Sequence, residues 1–105
     1  MRQSRSAFRI EYTPEAMGHL AGLTAHQSAL VLDEVERKLK HQPTLPTRNR
    51  KLLRANAIAP WELRIGELRV YFDVEESPAA VVTVRAVGLK VRERVLIGGK
   101  ETDLG

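Results

Sequence analysis

Apolar and polar residues alternate along four stretches of the chain, and this spacing predicts strands with one buried face. The four stretches are 8–12, 61–65, 68–74 and 80–87. A turn at Ser77-Pro78 separates the last two. One strand is therefore expected near the start of the chain and three in its second half.

Two helices are predicted between the first strand and the others. Thr13-Pro14 supplies an N-cap residue followed by a first-turn proline, and Met17 and Leu20 share one side of the helix that follows. A second helix begins near Thr24 and carries an apolar stripe at helical spacing, which predicts a buried side. The stripe consists of Val31, Leu32, Val35 and Leu39. The two helices are expected to form a hairpin.

The pair Gly66-Glu67 lies between two alternating stretches, and a two-residue turn with glycine first is typical of a type II′ hairpin. Such a turn fixes the register of the two strands. The expected pairs are Ile65 with Leu68, Leu63 with Val70, and Trp61 with Phe72, joined on the same face by Val82, Val84 and Ala86. The predicted fold class is α+β, with the N-terminal strand and the two-helix hairpin packed on one face of a mainly antiparallel twisted sheet, in two layers.

The length of 105 residues suits a single domain, 1–105, with a loose tail at residues 1–6. Periodicity does not decide whether the other end, residues 100–105, is also a loose tail or forms a final short strand. Residues 42–60 show no sustained period and are predicted to form a long basic loop. The chain has no cysteine, which excludes disulfides and thiolate sites. We expect a cytoplasmic protein without a membrane role, since no apolar run approaches the length that a bilayer requires.

Charge is unevenly distributed along the chain. The formal net charge is +4, and between Arg37 and Trp61 there is no acidic residue. The basic residues of that segment are Arg37, Lys38, Lys40, Arg48, Arg50, Lys51 and Arg54. A basic block is often only a solvated face, but it also suits a polyanionic partner such as nucleic acid.

The register that buries Trp61 and Phe72 also places Arg64 opposite Arg69 on the other face, with Glu62 opposite Tyr71. Like charges directly across a ladder are unfavourable, so an anion that visits this face would explain them. The alternative is that Glu62 and Asp73 neutralise the arginines within the sheet. Three more cations follow the third strand of the meander, and we expect Arg92 to converge with Arg64 and Arg69. These cations are Lys90, Arg92 and Arg94.

Guanidinium groups match phosphate oxygens and stabilise their charge, but they do not act as bases. If this face cleaves a phosphodiester, Glu62 or Lys51 is the candidate that takes the proton of the attacking hydroxyl, and the sequence leaves the choice open. The histidines His19, His26 and His41 belong to the helices or their ends and are expected to be surface residues. No metal-binding spacing, serine-hydrolase motif or phosphate-loop motif is present, so neither a metal nor a cofactor is expected.

Two segments carry a resemblance to a known family. They are Pro60-Trp61-Glu62-Leu63-Arg64-Ile65-Gly66 and Leu68-Arg69-Val70-Tyr71-Phe72-Asp73-Val74, supported by Asn49-Arg50-Lys51-Leu52, Ala86-Val87-Gly88 and the basic turn 90–94. In this order, over about residues 8–99, the chain resembles RelE/ParE-superfamily toxins of type II toxin–antitoxin systems. The resemblance implies a RelE-like fold and a small toxin that cleaves messenger RNA in the ribosomal A site by attack of a ribose 2′-hydroxyl on the adjacent phosphate.

By this resemblance, Arg69 and Arg92 match arginines that stabilise the transition state. Arg64 lies where the family has a catalytic lysine, and Lys51 matches a basic residue of the loop. The sequence departs from the family at two positions, where Glu62 replaces a hairpin lysine and Leu96 occupies the position of a base-stacking tyrosine. Further contacts to nucleic acid are expected from the remaining cations. These are Arg48, Arg50, Arg54, Lys90 and Arg94.

The resemblance also implies partners: a cognate antitoxin, the ribosome with its messenger RNA, and operator DNA only through the antitoxin complex. Two other functions remain open at this point. One is inhibition of DNA gyrase, as in ParE-like members, without catalysis. The other is a non-toxic relative whose basic surface serves only antitoxin or operator binding.

Overall fold

The computed structural model describes residues 7–102. A first strand, β1 (Arg9–Tyr12), is followed by two helices, α1 (Pro14–Ala21) and α2 (Ala25–Leu39). Six strands come after the helices: β2 (Arg50–Leu52), β3 (Trp61–Ile65), β4 (Leu68–Glu75), β5 (Val81–Val91), β6 (Arg94–Ile97) and β7 (Lys100–Thr102). The fold is α+β with two helices and a mainly antiparallel open sheet, as predicted.

The strands form one sheet in the order β2-β3-β4-β5-β6-β7, with β1 added to the side of β5. Strand β1 runs parallel to residues 81–84 of β5, and β6 runs antiparallel to residues 88–91. The long strand β5 therefore carries two different neighbours along one edge. Within residues 7–102, no helix is long and apolar enough to cross a membrane.

Both helices begin at the capping residues that the sequence indicates. The Thr13 side chain accepts a hydrogen bond from the Ala16 amide at 3.1 Å, with Pro14 in the first turn. Thr24 and Gln27 form a reciprocal capping box, each side chain accepting from the other's backbone amide. Such caps satisfy amides that the helix leaves without partners, and each contributes about 1 kcal/mol.

The core lies between the helices and one face of the sheet. Val31, Val35 and Leu39 are fully buried, and the aromatic rings of Trp61 and Phe72 stack with centroids 6.1 Å apart. Burial of a side chain such as Phe72 contributes about 1.5–3 kcal/mol. The helical stripes extend less far than predicted. Met17 is 54% exposed and Leu32 is 45% exposed, because both lie at the margin of their helix's buried side.

The predicted hairpin register is confirmed at every pair: Ile65 with Leu68, Leu63 with Val70, Arg64 with Arg69, and Trp61 with Phe72. Gly66, the first residue of the turn, has a φ of 59°, which glycine adopts without the penalty that a Cβ would bring. The register therefore separates the sheet into a helix-facing side and a side opposite the helices, here called the outer face.

The position of Ala86 differs from the prediction. Phe72 pairs with Val84, whereas Tyr71 pairs with Ala86, so Arg85 is an extra residue that has no partner on β4. A bulge of this kind reverses the alternation of the strand beyond it. Ala86 consequently lies on the outer face beside Tyr71 and not in the core between sheet and helices.

The interval 42–60, expected to be an irregular loop, includes β2, which pairs with β3. At the C-terminal end, where the sequence left a short strand and a loose tail open, residues 100–102 form β7 and pair with β6. The remaining tail residues, 103–105, lie outside the described part of the chain, as do residues 1–6.

Candidate nucleic-acid interface

The outer face is built from three rows of residues that cross the sheet near the β3–β4 turn. Pairing aligns Lys51, Glu62, Tyr71 and Ala86 in the first row. The second row contains Arg64, Arg69, Gly88, Ile97 and Lys100. The third contains Lys90, Val95 and Thr102. Residues directly opposite each other share a face, so the basic residues of these rows lie on one surface.

Arg64 is held by a buried carboxylate. Its Nε donates to Glu62 Oε1 at 3.0 Å, and the Tyr71 hydroxyl donates to Glu62 Oε2 at 3.0 Å. Glu62 is only 5% exposed and Tyr71 is fully buried. Burial raises the pKa of Tyr71, and the adjacent Glu62 carboxylate raises it further, so the hydroxyl stays protonated as a donor at neutral pH. Glu62 thus has a donor at each oxygen.

The sequence leaves two explanations for the opposed arginines Arg64 and Arg69: an external anion, or neutralisation by Glu62 and Asp73. Glu62 does pair with Arg64, whereas Asp73 pairs with Arg85, at 3.4 Å, and not with Arg64 or Arg69. The Arg64 side chain remains 41% exposed. A pair that solvent reaches contributes only about 0–1 kcal/mol, so Arg64 keeps a guanidinium edge available to an external anion.

The Arg69 side chain is buried, although the resemblance assigns it a contact to the phosphate in the transition state. Its Nη1 donates to the carbonyl of Gly66 at 2.7 Å and to that of Leu68 at 2.9 Å, and the residue is 7% exposed. The guanidinium therefore braces the β3–β4 turn. This local use explains how two arginines lie opposite each other, because each has its own acceptors.

The backbone of Arg92 lies farther along the sheet than that of Arg64 and Arg69. It lies in the exposed turn between β5 and β6 with a φ of 57°, four positions beyond Gly88, the β5 partner of Arg69. At about 3.3 Å per residue, this separation is about 13 Å along the strand. The Lys90 amide donates to the Glu67 carbonyl at 2.7 Å, so both turns lie at the same end of the sheet. The structure brings Arg64 and Arg69 together and leaves Arg92 at the tip.

The other predicted contacts to nucleic acid are distributed over several surfaces. Lys90 is exposed on the outer face, whereas Arg94 lies on the helix-facing side and pairs with Glu101 at 3.4 Å. Arg48 and Arg54 are exposed in the segments before and after β2. Arg50 is 8% exposed and donates to the Lys38 carbonyl at 2.7 Å. Arg50 is therefore buried beside α2 and does not lie on the outer face.

Residues 53–60, here called the cover segment, fold over part of the outer face. Leu53, Ile58 and Ala59 pack with Tyr71 and Ala86 in a second apolar cluster. Asn56 organises the segment. Its Oδ1 accepts from the Ile58 and Ala59 amides, and its Nδ2 donates to the Arg54 and Ala59 carbonyls, at distances of 2.7–3.0 Å. The cover segment therefore leaves the cations near the β3–β4 turn exposed while it buries the phenol of Tyr71.

Sequence reasoning missed Lys100, which is exposed on the outer face opposite Ile97. The dipeptide Gly98-Gly99 was the available signal, because both glycines have positive φ, 61° and 80°, as a type I′ hairpin turn requires. The four exposed residues Lys51, Arg64, Lys90 and Lys100 are here called the outer-face cations.

Within residues 7–102, no three His, Asp or Glu side chains are grouped closely enough to hold a metal ion. Of the histidines, His26 and His41 are exposed, and His19 is half-buried with its Nδ1 accepting from the Val87 amide at 3.2 Å.

No protein-family model matches the sequence, and no curated protein matches it.

Proposed function

We propose that this protein is a toxin of a type II toxin–antitoxin system with a RelE-like fold, and that it binds and cleaves messenger RNA on the ribosome through the outer face. The observation that carries the proposal is the excess of positive charge on the outer face. The four outer-face cations outnumber the single carboxylate, Glu62, in the same rows, and Glu62 pairs with only one of them, Arg64. A phosphodiester is the ligand that this excess suits.

In this proposal Arg64 stabilises the negative charge that develops on the phosphate. Glu62 and Tyr71 are positioning residues, because they fix the Arg64 side chain from beneath the surface. Cleavage forms a bond from the 2′-oxygen to phosphorus and breaks the bond to the 5′-oxygen, leaving a 2′,3′-cyclic phosphate and a 5′-hydroxyl. The proton of the 2′-hydroxyl passes to a base, and the leaving 5′-oxygen takes up a proton from water. Lys51, exposed in the same row as Glu62, is a better candidate than Glu62, whose oxygens already accept two hydrogen bonds.

Arg92 provides a second charge near the tip of the sheet. Arg92 has a φ of 57°, in the left-handed region, which costs a residue with a Cβ about 1–2 kcal/mol. Backbone strain of this kind concentrates at functional sites. In the proposal, Arg92 contacts the RNA chain beyond the scissile phosphate.

Induction of the chain in cells tests the function. We expect growth arrest with cleaved messages and termini that carry a 2′,3′-cyclic phosphate. Replacement Arg64→Ala should lower the cleavage rate by about 10²–10³, the usual cost of removing one group that stabilises charge in a transition state. The matched control is Arg9→Ala, which removes an exposed arginine that pairs with Glu11 on β1.

A second variant separates function from stability. Arg92→Gly relieves the positive φ and should leave the free energy of unfolding within about 1 kcal/mol of the original, while it lowers cleavage. Intact messages in cells that produce the unaltered chain would contradict the proposal. Equal cleavage by the original chain and by the Arg64→Ala variant would remove Arg64 from the mechanism.

One observation favours a non-cleaving relative as the second candidate. The Arg69 guanidinium donates to two turn carbonyls, so the transition-state role that the resemblance assigns to it requires those bonds to break. A protein that only binds an antitoxin or operator complex has no such requirement. Harmless expression without any partner, together with intact messages, would favour this candidate.

The proposal includes an antitoxin that supplies an acidic segment to the basic surface in the cytoplasm. Electrostatic attraction would speed the encounter, and the association rate should fall as salt increases. Association rates measured at two salt concentrations test this part of the proposal.

A further inference from the structure

A groove separate from the outer face lies between the C-terminal end of α2 and the turn that leads into β2. Its volume is about 470 Å³. Cationic and imidazole side chains dominate its lining, and no acidic residue contributes to it within the described part of the chain. These side chains belong to Arg37, Lys38, His41, Arg48 and Arg50.

Arg50 is the unusual member of this set. The residue is 8% exposed, its Nη1 donates to the Lys38 carbonyl, and its Nε has no hydrogen-bond partner. No carboxylate in residues 7–102 lies within salt-bridge distance of it. Burial lowers the pKa of Arg50, although an arginine retains its charge at neutral pH. A buried charge without a counter-charge is costly, and an anion in the groove would offset that cost.

The neighbours of Arg50 add to the positive charge. Arg37 and Lys38 share a single carboxylate, that of Glu34, with Lys38 Nζ 3.7 Å from it. Arg48 is exposed and has no acidic partner within residues 7–102. The groove therefore has more cations than its one nearby carboxylate can neutralise.

We infer that this groove binds a phosphate group, held by the Arg48 and Arg50 guanidiniums with His41 at its rim. Planar guanidinium donors fit phosphate oxygens better than they fit a halide, and the charge excess favours a dianion over a single carboxylate. Arg50 and Lys51 are consecutive on β2 and point to opposite sides of the sheet, so this site is distinct from the outer face. It requires neither the ribosome nor cleavage.

Thermal unfolding of the full chain in inorganic phosphate, against sodium chloride of equal ionic strength, tests the inference. A ligand that binds only the folded state raises the midpoint by an amount that grows with the logarithm of its concentration relative to its dissociation constant. We expect phosphate to raise the midpoint of the original chain and of the Arg9→Ala control, and to raise it much less in Arg48→Ala. The general stabilising effect of phosphate salts is present in all three chains, so only the difference among them reports the site.

Direct titration gives the affinity. Loss of one charge-assisted hydrogen bond should weaken phosphate binding about tenfold in Arg48→Ala. In nuclear magnetic resonance spectra, the His41 ring and the Arg48 and Arg50 side chains should shift on titration with phosphate. Three results would each overturn the inference. They are resonance shifts confined to Arg64 and Lys51, a rise of the midpoint with phosphate that is as large in Arg48→Ala as in the original chain, and a rise with acetate that equals the rise with phosphate.

Two further arms identify the source of the phosphate. A short oligoribonucleotide with a 5′-phosphate, compared with the same oligonucleotide without it, distinguishes a terminal phosphate from a backbone phosphate. If both oligonucleotides bind more tightly than inorganic phosphate, and Arg48→Ala weakens the binding of both, the groove binds a backbone phosphate. Binding of inorganic phosphate alone supports a free-anion site. All arms use the isolated chain, so their outcome is independent of whether induction arrests growth.

Discussion

Replacement Tyr71→Phe tests whether the buried carboxylate of Glu62 depends on its phenol donor. The substitution removes one oxygen atom and leaves the ring that packs against Ala86 and the cover segment. Its direct effect is the loss of the 3.0 Å hydrogen bond from the Tyr71 hydroxyl to Glu62 Oε2. Because Glu62 is 5% exposed, water replaces that donor poorly.

The expected cost follows from the charge of the acceptor. Hydrogen bonds to charged groups contribute about 1.5–3 kcal/mol, roughly twice the contribution of a neutral pair. A loss of about 2 kcal/mol raises the ratio of unfolded to folded chain by about thirtyfold. For a domain of this size, the unfolding midpoint should fall by about 8–16 °C.

Urea denaturation measures this cost, with an unchanged slope m as the sign that only stability has changed. The matched control is Tyr12→Phe, since the Tyr12 hydroxyl has no hydrogen-bond partner within residues 7–102 and its loss should cost less than about 0.5 kcal/mol. A double-mutant cycle with Glu62→Gln isolates the coupling. Equal costs for Tyr71→Phe and Tyr12→Phe, or a coupling near zero, would refute the reasoning.

Three other predictions concern stability. Burial raises the pKa of Tyr12 to about 12 and that of Tyr71 further, so both favour the folded state while protonated. The contribution of each tyrosine to the free energy of unfolding should be constant below about pH 10 and then fall by up to about 1.4 kcal/mol per pH unit until the pKa of the folded state is reached. Tyrosinate absorbance and circular dichroism measured together test this. Asn56→Ala should accelerate amide hydrogen exchange in the cover segment, whereas Asn56→Asp, which keeps the acceptor oxygens, should have a smaller effect. Gly98→Ala should cost more than Gly99→Ala in urea denaturation. Both positions have positive φ, but only at Gly98 would a new Cβ lie 3.1 Å from the His19 ring.

The sequence allowed accurate prediction wherever the signal was local. The hairpin from Trp61 to Phe72 was predictable in register because a glycine-first turn lies between two strictly alternating stretches. The helix starts at Thr13 and Thr24 were predictable because capping residues act within one helical turn. Arg64 opposite Arg69 followed from the same register, so that part of the candidate site was available from sequence.

Other features depend on contacts between distant segments. Strand β2 has three residues and exists through its pairing with β3, so no period reveals it. The extra residue Arg85 in β5 moves Ala86 to the outer face, and nothing in the alternation marks a bulge there. The burial of Arg50 and Arg69 was unpredictable for a related reason. Arginine is usually exposed, and the spacing of residues reveals neither the distant Lys38 carbonyl that accepts from Arg50 nor the turn carbonyls of Gly66 and Leu68 that accept from Arg69.

Strand β2 determines how the positive charge is arranged around the edge of the sheet. Successive residues of a strand point to opposite sides, so Arg50 enters the groove beside α2 while Lys51 joins the outer face in the row of Glu62. An insertion or deletion of one residue before Arg50 would exchange the two sides, which would place Lys51 under the helix and Arg50 in the open row. The planar guanidinium of Arg50 can donate to the Lys38 carbonyl and to a phosphate at the same time. A lysine ammonium at this position has no such planar set of donors. The order arginine then lysine is therefore the one that lets this edge strand anchor α2 and present cations on both of its sides.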